Sequence, residues 1–234
     1  MPALVDRLAS AATKPLTRTL TVEAVSDLAD GFRRVDLRSS GVLRWEPGQK
    51  VQVHVKGFEF RTYTPFAWDG ERVSLLAALD ATGPGTALVA SLEPGTEVSV
   101  FGPRRAMDLS KVAAAPILIG DETSFALGAA WDQHGSVPAA AHLYEVTHPE
   151  PSAQVCATLG FDHATLVERT ADEGHADRLT ELAVDLVRST PDAPLVLTGK
   201  AQTIRAIRGA LKAAGLSPAT RVKAHWDPNR SGLD

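Results

Sequence analysis

The stretch Pro116-Ile117-Leu118-Ile119-Gly120-Asp121-Glu122-Thr123 decides the fold class of this chain. Its continuous apolar run is typical of a parallel strand that is buried on both faces. The polar residues after Gly120 mark the passage from the strand into a helix, and in an open α/β sheet the crevice at this point binds nucleotides. The glycine-rich dinucleotide fingerprint is absent, so these residues do not by themselves specify a dinucleotide. A simpler interpretation is that Thr123 caps the helix, with Asp121 and Glu122 favourable beside its positive end.

Strands and helices alternate on the carboxyl side of this stretch. Helices are predicted at 123–134, 151–159, 176–187 and 200–214, and further strands at 139–146, 164–168, 194–198 and 221–225. Repeated βα units of this kind predict a doubly wound parallel sheet, with ligands beyond the carboxyl ends of its strands.

The first half of the chain has a different texture, in which short β-prone runs are separated by turn residues. Strands are predicted at 19–25, 33–38, 50–56, 58–64, 72–79 and 97–101, and one short helix at 86–91. This spacing favours an antiparallel barrel or sandwich, of which we take the barrel as the prediction. We therefore predict an N-terminal arm over 1–16, a β-barrel domain over 17–108 and an α/β domain over 109–234.

Composition excludes several classes of protein. The 234 residues carry a net charge of −4, with no basic footprint for nucleic acid. No apolar run reaches the roughly 18 residues that membrane insertion requires. The single cysteine, Cys156, rules out an intramolecular disulfide and fits a reducing compartment, which predicts a cytoplasmic protein without a structural metal site.

One predicted strand ends in Arg61-Thr62-Tyr63-Thr64, which carries three groups suited to a flavin. Alternation along a strand places Arg61 and Tyr63 on one face and Thr62 and Thr64 on the other. The Arg61 fork is suited to a phosphate, the Tyr63 ring is suited to pack on another ring system, and Thr64 supplies a small hydroxyl where the chain turns.

A second feature suited to phosphate is Gly83-Pro84-Gly85-Thr86, directly before the short helix. Its glycines let the backbone approach a ligand, and the start of the helix offers unpaired N–H groups to an anion. Alone, the motif is more simply a turn capped by Thr86. Together with Arg61 on a nearby strand, it favours a phosphate or diphosphate site.

Two residues late in the chain fall near the carboxyl ends of the predicted parallel strands. Lys200 follows the strand at 194–198 and is placed to reach a bound phosphate, whereas Trp226 either covers a ring cofactor or packs the tail. A basic stripe at Arg205, Arg208 and Lys212 is predicted on the face opposite the apolar residues of the same helix, where a solvated face is the commonest interpretation.

In this order, the motifs resemble those of the siderophore-interacting protein family, within the ferredoxin-reductase-like flavoproteins. The resemblance covers the chain after the first 16 residues. It is carried by Arg61–Thr64, Gly83–Thr86, Gly102-Pro103-Arg104, Gly120–Thr123 and the closing pattern from Gly199 to Trp226.

This resemblance implies an enzyme in which FAD and either NADH or NADPH carry electrons to a ferric siderophore, with release of Fe(II). It implies that Arg61 holds the flavin phosphate, that Tyr63 and Thr64 are the catalytic contacts of the flavin ring, and that Thr62 borders the same site. The remaining contacts that it implies are Gly83, Gly85, Thr86 and Ala87 at the flavin diphosphate, and Asp121, Glu122, Thr123, Lys200 and Trp226 at the nicotinamide nucleotide.

Several residues depart from the pattern of this family, including Ser124-Phe125, where family members often have Leu-Pro. Asp80 and Leu88 stand where many relatives have His and Trp, and Lys200 stands where an acid often follows the late glycine. Two alternatives to a ferric-siderophore reductase therefore stay open: a flavin oxidoreductase with another acceptor, or an idle relative that binds a small molecule or a protein. The donor is also open, since Glu145 would favour NADH through a ribose, whereas Lys200 or Arg205 would favour the extra phosphate of NADPH.

Overall fold

A computed structural model describes residues 17–42, 44–57, 59–79, 83–107, 109 and 112–229. The predicted arm at 1–16 and the departure at Asp80 lie outside these residues. The chain divides into two compact units, 1–106 and 107–234, which we describe separately as the barrel unit and the α/β unit.

The barrel unit is built from seven antiparallel strands. They run in the order β4-β3-β7-β1-β2-β6-β5. Their bounds are Arg18–Ala29 (β1), Phe32–Ser39 (β2), Gln49–Lys56 (β3), Glu59–Tyr63 (β4), Pro65–Trp68 (β5), Arg72–Ala78 (β6) and Glu97–Arg105 (β7). The predicted antiparallel barrel is confirmed. Strand β5 was not predicted, because Pro65 marks a turn in the sequence whereas the chain resumes pairing with β6 at that residue.

The interior of the barrel is filled by alternate residues of its strands, as the period of two requires. Val35 and Leu37 of β2 face Val73 and Leu75 of β6 in one buried cluster. Helix α1, Pro84–Ser91, adds Val89 to this cluster and so is anchored against the barrel core.

The α/β unit has a five-stranded parallel sheet in the order β10-β9-β8-β11-β12. Its strands are Ile117–Asp121 (β8), Ala141–Val146 (β9), Thr165–Glu168 (β10), Leu195–Lys200 (β11) and Thr220–Trp226 (β12). Its helices are Phe125–His134 (α2), Pro149–Leu159 (α3), His175–Ser189 (α4) and Ala201–Ala213 (α5). This architecture confirms the predicted doubly wound sheet.

Among the described residues, no helix has the length and apolar character of a membrane-crossing segment.

The basic stripe of α5 does not lie opposite the apolar face of the helix. Ile204, Ile207 and Leu211 are buried. Because each residue of a helix turns the chain by about 100°, the stripe that contains Arg205 and Arg208 lies beside this apolar face rather than behind it. The Arg205 guanidinium is 3.8 Å from the Asp227 carboxylate, just after β12, so the stripe borders the β12 edge of the sheet.

A buried polar network supports the packing of β9 on α2. His142 is almost fully buried, and its two ring nitrogens lie 2.8 Å from Oδ2 of Asp132 and 2.9 Å from the hydroxyl of Tyr144. Burial raises the pKa of the Asp132 carboxyl, but hydrogen bonds from His142 and from the Ala139 N–H outweigh burial and lower it overall. The carboxylate therefore stabilises the fold above the pKa that Asp132 has in the unfolded chain.

We expect Asp132→Asn to lower the free energy of unfolding at pH 7 by about 1.5–3 kcal/mol, the scale of hydrogen bonds to a charged group. Because the folded-state pKa is lowered, this contribution is present above about pH 4 and is lost as the pH falls further. Urea unfolding of both proteins between pH 3.5 and 7 measures the difference. Asp162→Asn is the matched control, because the side chain of Asp162 is 84% exposed. A difference that does not depend on pH would contradict the role given to the charge.

Candidate functional site

Arg61 and the start of α1 come together in the barrel unit, although 22 residues separate Arg61 from Pro84 in sequence. The aliphatic stem of Arg61 lies against the backbone of Gly85, where a methyl group would be 2.7 Å from Cγ of Arg61. The guanidinium donates to the Phe60 carbonyl at 2.9 Å and pairs with the Glu59 carboxylate. A permanent cation thus lies beside the first turn of a helix, where N–H groups have no partner within the helix.

Tyr63 points to the same side of β4 as Arg61. It pairs with Val51 of β3, whose side chain is in the barrel core, and it lines a cavity of about 10 Å³ together with Leu88 and Val89 of α1. Burial raises the pKa of the Tyr63 hydroxyl to about 12, and the nearby Arg61 opposes this rise only in part. The ring is therefore neutral at physiological pH.

The other predicted flavin contacts surround this pair. Thr62 is exposed on the opposite side of β4, and Thr64 lies half-buried between β4 and β5. Gly83 and Thr86 flank the first turn of α1, while the Ala87 N–H donates to the Gly83 carbonyl at 3.0 Å. The N–H of Ala87 is thus already used within the helix, so the groups that the turn offers to an anion precede it.

The second group of predicted residues lies at the carboxyl edge of the parallel sheet. Asp121, at the end of β8, is completely buried. Its carboxylate accepts from the Thr123 N–H at 2.9 Å, from the Thr123 hydroxyl, and from the indole N–H of Trp226 at 2.8 Å. Asp121 therefore joins the end of β8 to the end of β12, and its side chain is turned inward.

Two glycines provide the space for this arrangement. Gly199 has a φ of 89°, and a methyl group there would lie 2.5 Å from Oδ2 of Asp121. At Gly120 a methyl group would lie 2.3 Å from the hydroxyl oxygen of Ser124. Ser124 accepts in turn from the Thr198 hydroxyl at 2.8 Å. The turn after β8 therefore fits tightly against β11.

Glu122 is also buried, and it binds Arg169, which follows β10. The Arg169 guanidinium donates to Oε1 of Glu122 at 2.7 Å and to the hydroxyl of Thr147 at 2.8 Å. Its other nitrogens lie 3.8 Å from Glu145 and 3.9 Å from Asp121, beyond hydrogen-bond distance. Arg169 thus balances the charge of three buried carboxylates while it bonds directly to one of them.

Glu145, at the end of β9, is closed off from solvent. One oxygen accepts from the Thr203 hydroxyl at 2.6 Å, and the other lies 3.3 Å from Nε2 of His175. The Thr170 N–H donates to Nδ1 of His175, so Nε2 carries the proton and the ring is neutral. Burial is the main cause that raises the pKa of Glu145. In this conformation Glu145 presents no oxygen to a ribose, contrary to one of the two alternatives for the donor.

Lys200 and Trp226 lie next to each other, beside the buried carboxylates of Asp121, Glu122 and Glu145. The Lys200 ammonium lies 5.9 Å from the centre of the Trp226 ring and 3.2 Å from each carboxylate oxygen of Glu173. The Thr123 hydroxyl lies 2.9 Å from Nδ1 of His225. The structure therefore brings all five predicted residues of the α/β unit to one edge of the sheet.

Four residues of this edge were not found from the sequence: Arg169, Glu173, His175 and Thr203. They lie in the segments that follow β10 and β11, and none of them is a residue on which a sequence motif was recognised. Arg169 bonds to a residue 47 positions away, and Thr203 to one 58 positions away. They could have been proposed from their position alone, because residues just after parallel strands lie at the ligand-binding edge of the sheet.

No protein-family model and no curated protein matches the sequence. Solved structures do share the fold. The siderophore-interacting protein SipS from Aeromonas hydrophila matches with a TM-score of 0.71 at 18% identity, over 93% of this chain and 94% of that one. A siderophore utilization protein from T. fusca matches with a TM-score of 0.65 at 19% identity, over 93% and 95%.

Phthalate dioxygenase reductase also shares the fold. Its structure, which is titled a modular one for electron transfer from pyridine nucleotides to [2Fe–2S], matches with a TM-score of 0.75 at 15% identity, over 93% of this chain and 71% of that one. At such identities the likeness establishes the fold: a ferredoxin-reductase-like barrel followed by an α/β unit, which siderophore-interacting proteins share.

We expect Gly199→Ala to lower the free energy of unfolding by about 2–4 kcal/mol. A left-handed backbone costs a side chain about 1–2 kcal/mol, and displacement of the Asp121 carboxylate weakens buried hydrogen bonds worth a similar amount. Thermal unfolding measures the loss.

The matched control is Gly209→Ala in α5, where a methyl group meets no atom within 4 Å. This variant should be more stable than the parent by about 0.5–1 kcal/mol, because glycine weakens a helix interior. Equal stability of Gly199→Ala and the parent would show that Asp121 does not require this close approach.

Proposed function

We propose that this chain is an NAD(P)H-dependent reductase that holds FAD on its barrel unit and passes electrons to a ferric siderophore. The observation that carries the proposal is the contact between Arg61 and Gly85. Two sequence features were each suited to a phosphate, and the fold places them side by side. A turn with a capping threonine explains only one of them.

The residues at this position fit a flavin nucleotide. Arg61 supplies a permanent charge, and its side chain is 41% exposed, so the Glu59 pair that holds it is accessible to a competing phosphate. The first turn of α1 supplies N–H donors, and Gly85 leaves room above them. Tyr63 supplies a neutral ring on the same side of β4. When bound, the flavin supplies the step between two-electron chemistry at a nicotinamide and one-electron chemistry at iron(III).

The α/β unit is proposed to bind the nicotinamide nucleotide at the carboxyl edge of its sheet. Asp121 and Glu122 are buried at this edge, so their proposed role is to hold neighbouring residues in position rather than to contact the ligand. Thr123, Lys200 and Trp226 lie further out and are the proposed contacts of the ligand. A ferric siderophore as acceptor is supported by the fold, which proteins named for siderophore interaction and utilization share.

A second candidate function is electron transfer to an acidic protein. Between residues 194 and 226 the chain has no Asp or Glu, and it has six basic residues: Lys200, Arg205, Arg208, Lys212, Arg221 and Lys223. Within the described residues, Arg208, Lys212 and Arg221 are exposed and form no ion pair. Helix α5 is about 20 Å long at 1.5 Å per residue, which gives this basic surface the size of a protein contact rather than of a small chelate.

The first test is the absorption spectrum of the purified chain after incubation with FAD and gel filtration. We expect retained flavin bands that bleach on anaerobic addition of NADH or NADPH, and reoxidation when a ferric siderophore is added. Arg61→Ala should fold normally and bind FAD about 10–150 times more weakly, the loss of a charge-assisted hydrogen bond of about 1.5–3 kcal/mol.

Arg72→Ala is the matched control, because Arg72 lies in the same sheet and pairs with Glu23, away from α1. It should leave FAD affinity unchanged. A folded Arg61→Ala variant with parental affinity would end the flavin assignment. A colourless parent that ignores both nucleotides would favour an idle relative of the fold.

The two acceptors are distinguished by the double variant Arg208→Glu with Lys212→Glu, tested with a trihydroxamate ferric siderophore and with an acidic [2Fe–2S] ferredoxin. If an acidic protein is the acceptor, the ferredoxin reduction rate should fall at least tenfold at low salt, and the difference should shrink as salt screens the charges. If the siderophore is the acceptor, its reduction should be the faster reaction of the parent and should change less than twofold. Ferredoxin reduction that is insensitive to both salt and charge reversal would exclude the second candidate.

A further inference from the structure

The ion pair between Lys200 and Glu173 is unequal. Only 10% of the Lys200 side chain is exposed, whereas 65% of the Glu173 side chain is exposed. A buried ammonium group is costly without an anion, and a largely exposed carboxylate is solvated whether or not it has a partner. Lys200 therefore requires an anion far more than Glu173 requires a cation.

The other carboxylates of this edge do not bond to Lys200, although the charge of Glu145 acts on it from a distance. Asp121, Glu122 and Glu145 are buried, and their oxygens accept from Thr123 and Trp226, from Thr147 and Arg169, and from Thr203 and His175. Among the described residues, Glu173 is the one acid whose oxygens lie within hydrogen-bond distance of the Lys200 ammonium.

Glu173 reaches Lys200 from an unusual backbone conformation. Its φ is 61°, and it is the one non-glycine residue with positive φ in the described part of the chain. The left-handed conformation disfavours a residue with a side chain. The segment around it is held by Asp172, which accepts from the Thr170 hydroxyl at 2.6 Å and from the Gly174 N–H at 3.0 Å. The exposed carboxylate is thus presented to Lys200 by a built turn.

We infer that Glu173 occupies, in the ligand-free chain, a phosphate-binding position at Lys200, and that a phosphate group of the nicotinamide nucleotide displaces it. The inference rests on the proposed function for its ligand. The diphosphate as a whole and the 2′-phosphate each carry up to two negative charges, against one for a carboxylate, and each offers several oxygens to an ammonium group. Two sources supply that chemistry: the diphosphate, which NADH and NADPH share, and the additional 2′-phosphate of NADPH.

Displacement needs little rearrangement. When Glu173 leaves, its carboxylate turns into solvent, while the Lys200 ammonium stays over the Trp226 ring. Glu173 thus competes with the phosphate of the nucleotide for Lys200, and this competition lowers the apparent affinity of the chain for the nucleotide. Removal of its charge should therefore tighten binding, which is the opposite of what the loss of an ordinary stabilising contact would do.

The test is titration calorimetry of the full chain, before and after Glu173→Gln, with NAD⁺, NADP⁺, ADP and 2′,5′-ADP. We expect Glu173→Gln to raise affinity about 3–10-fold for every ligand that places a phosphate at Lys200. A gain that includes NAD⁺ and ADP identifies the diphosphate, which 2′,5′-ADP lacks. A gain confined to NADP⁺ and 2′,5′-ADP identifies the 2′-phosphate and a preference for NADPH.

Two further variants complete the experiment. Lys200→Met should weaken the same ligands about tenfold or more, and the double variant with Glu173→Gln should bind no better than Lys200→Met alone. Lys200→Arg keeps the charge and should retain most of the affinity, which keeps the test valid if the methionine variant fails to fold. Glu168→Gln, an exposed acid on β10, is the matched control and should change nothing.

Unchanged or weaker binding of all four ligands by a folded Glu173→Gln variant would overturn the inference. The experiment measures nucleotide binding without flavin, donor oxidation or acceptor. A chain that fails to bind FAD but shows the Glu173 effect would retain this site and lose the proposed reductase function. A chain that binds FAD and reduces an acceptor without the Glu173 effect would retain the function and lose the site.

Discussion

The buried carboxylate of Asp121 is the group on which the polar edge of the α/β unit depends. A fully buried charge must be hydrogen-bonded, and its donors come from Thr123 and from Trp226 at the end of β12. It also needs space, which Gly199 of β11 provides. One side chain therefore links the ends of three parallel strands, and the positions of Thr123, Lys200 and Trp226 follow from that link.

In the barrel unit, the candidate phosphate site is positioned by the packing of one helix. Helix α1 packs Val89 into the barrel core, and this packing holds its first turn beside Arg61. Gly85 is required because the stem of Arg61 crosses the backbone there. Leu88, which stands where many relatives have Trp, lies inside against Tyr63 and lines the small cavity of the barrel. At this departure from the resembled family's pattern, the smaller Leu88 side chain thus packs against the core of the barrel.

Charge is distributed in layers at the edge of the parallel sheet. The buried acids are hydrogen-bonded to Arg169 and to neutral donors, whereas Lys200 pairs with Glu173, which solvent also reaches. The net charge of −4 conceals a second asymmetry, since the last third of the α/β unit is basic. An overall charge near neutrality therefore says little about the charge that a ligand or a partner meets at one face.

Most strands and helices were predictable, and the exceptions have definite causes. Pro65 concealed β5, because a proline that opens an edge strand looks like a turn in the sequence. The helix after β8 begins two residues later than predicted, because Asp121 caps a separate short turn over Glu122–Ser124. The basic stripe of α5 was placed on the wrong face, although a turn of 100° per residue puts Arg205 and Arg208 beside the apolar residues rather than behind them.

The sequence by itself determined the type and order of the elements and the residues suited to a phosphate. Side-chain periodicity and the turns formed by glycine and proline depend on only a few neighbouring residues, so these features can be predicted without knowledge of the fold. Only the tertiary structure decided that Arg61 meets Gly85, that Glu145 is closed off, and that Glu173 faces Lys200. The physical reason is that burial and pairing depend on strand order, and the order β10-β9-β8-β11-β12 brings together residues that no local pattern connects.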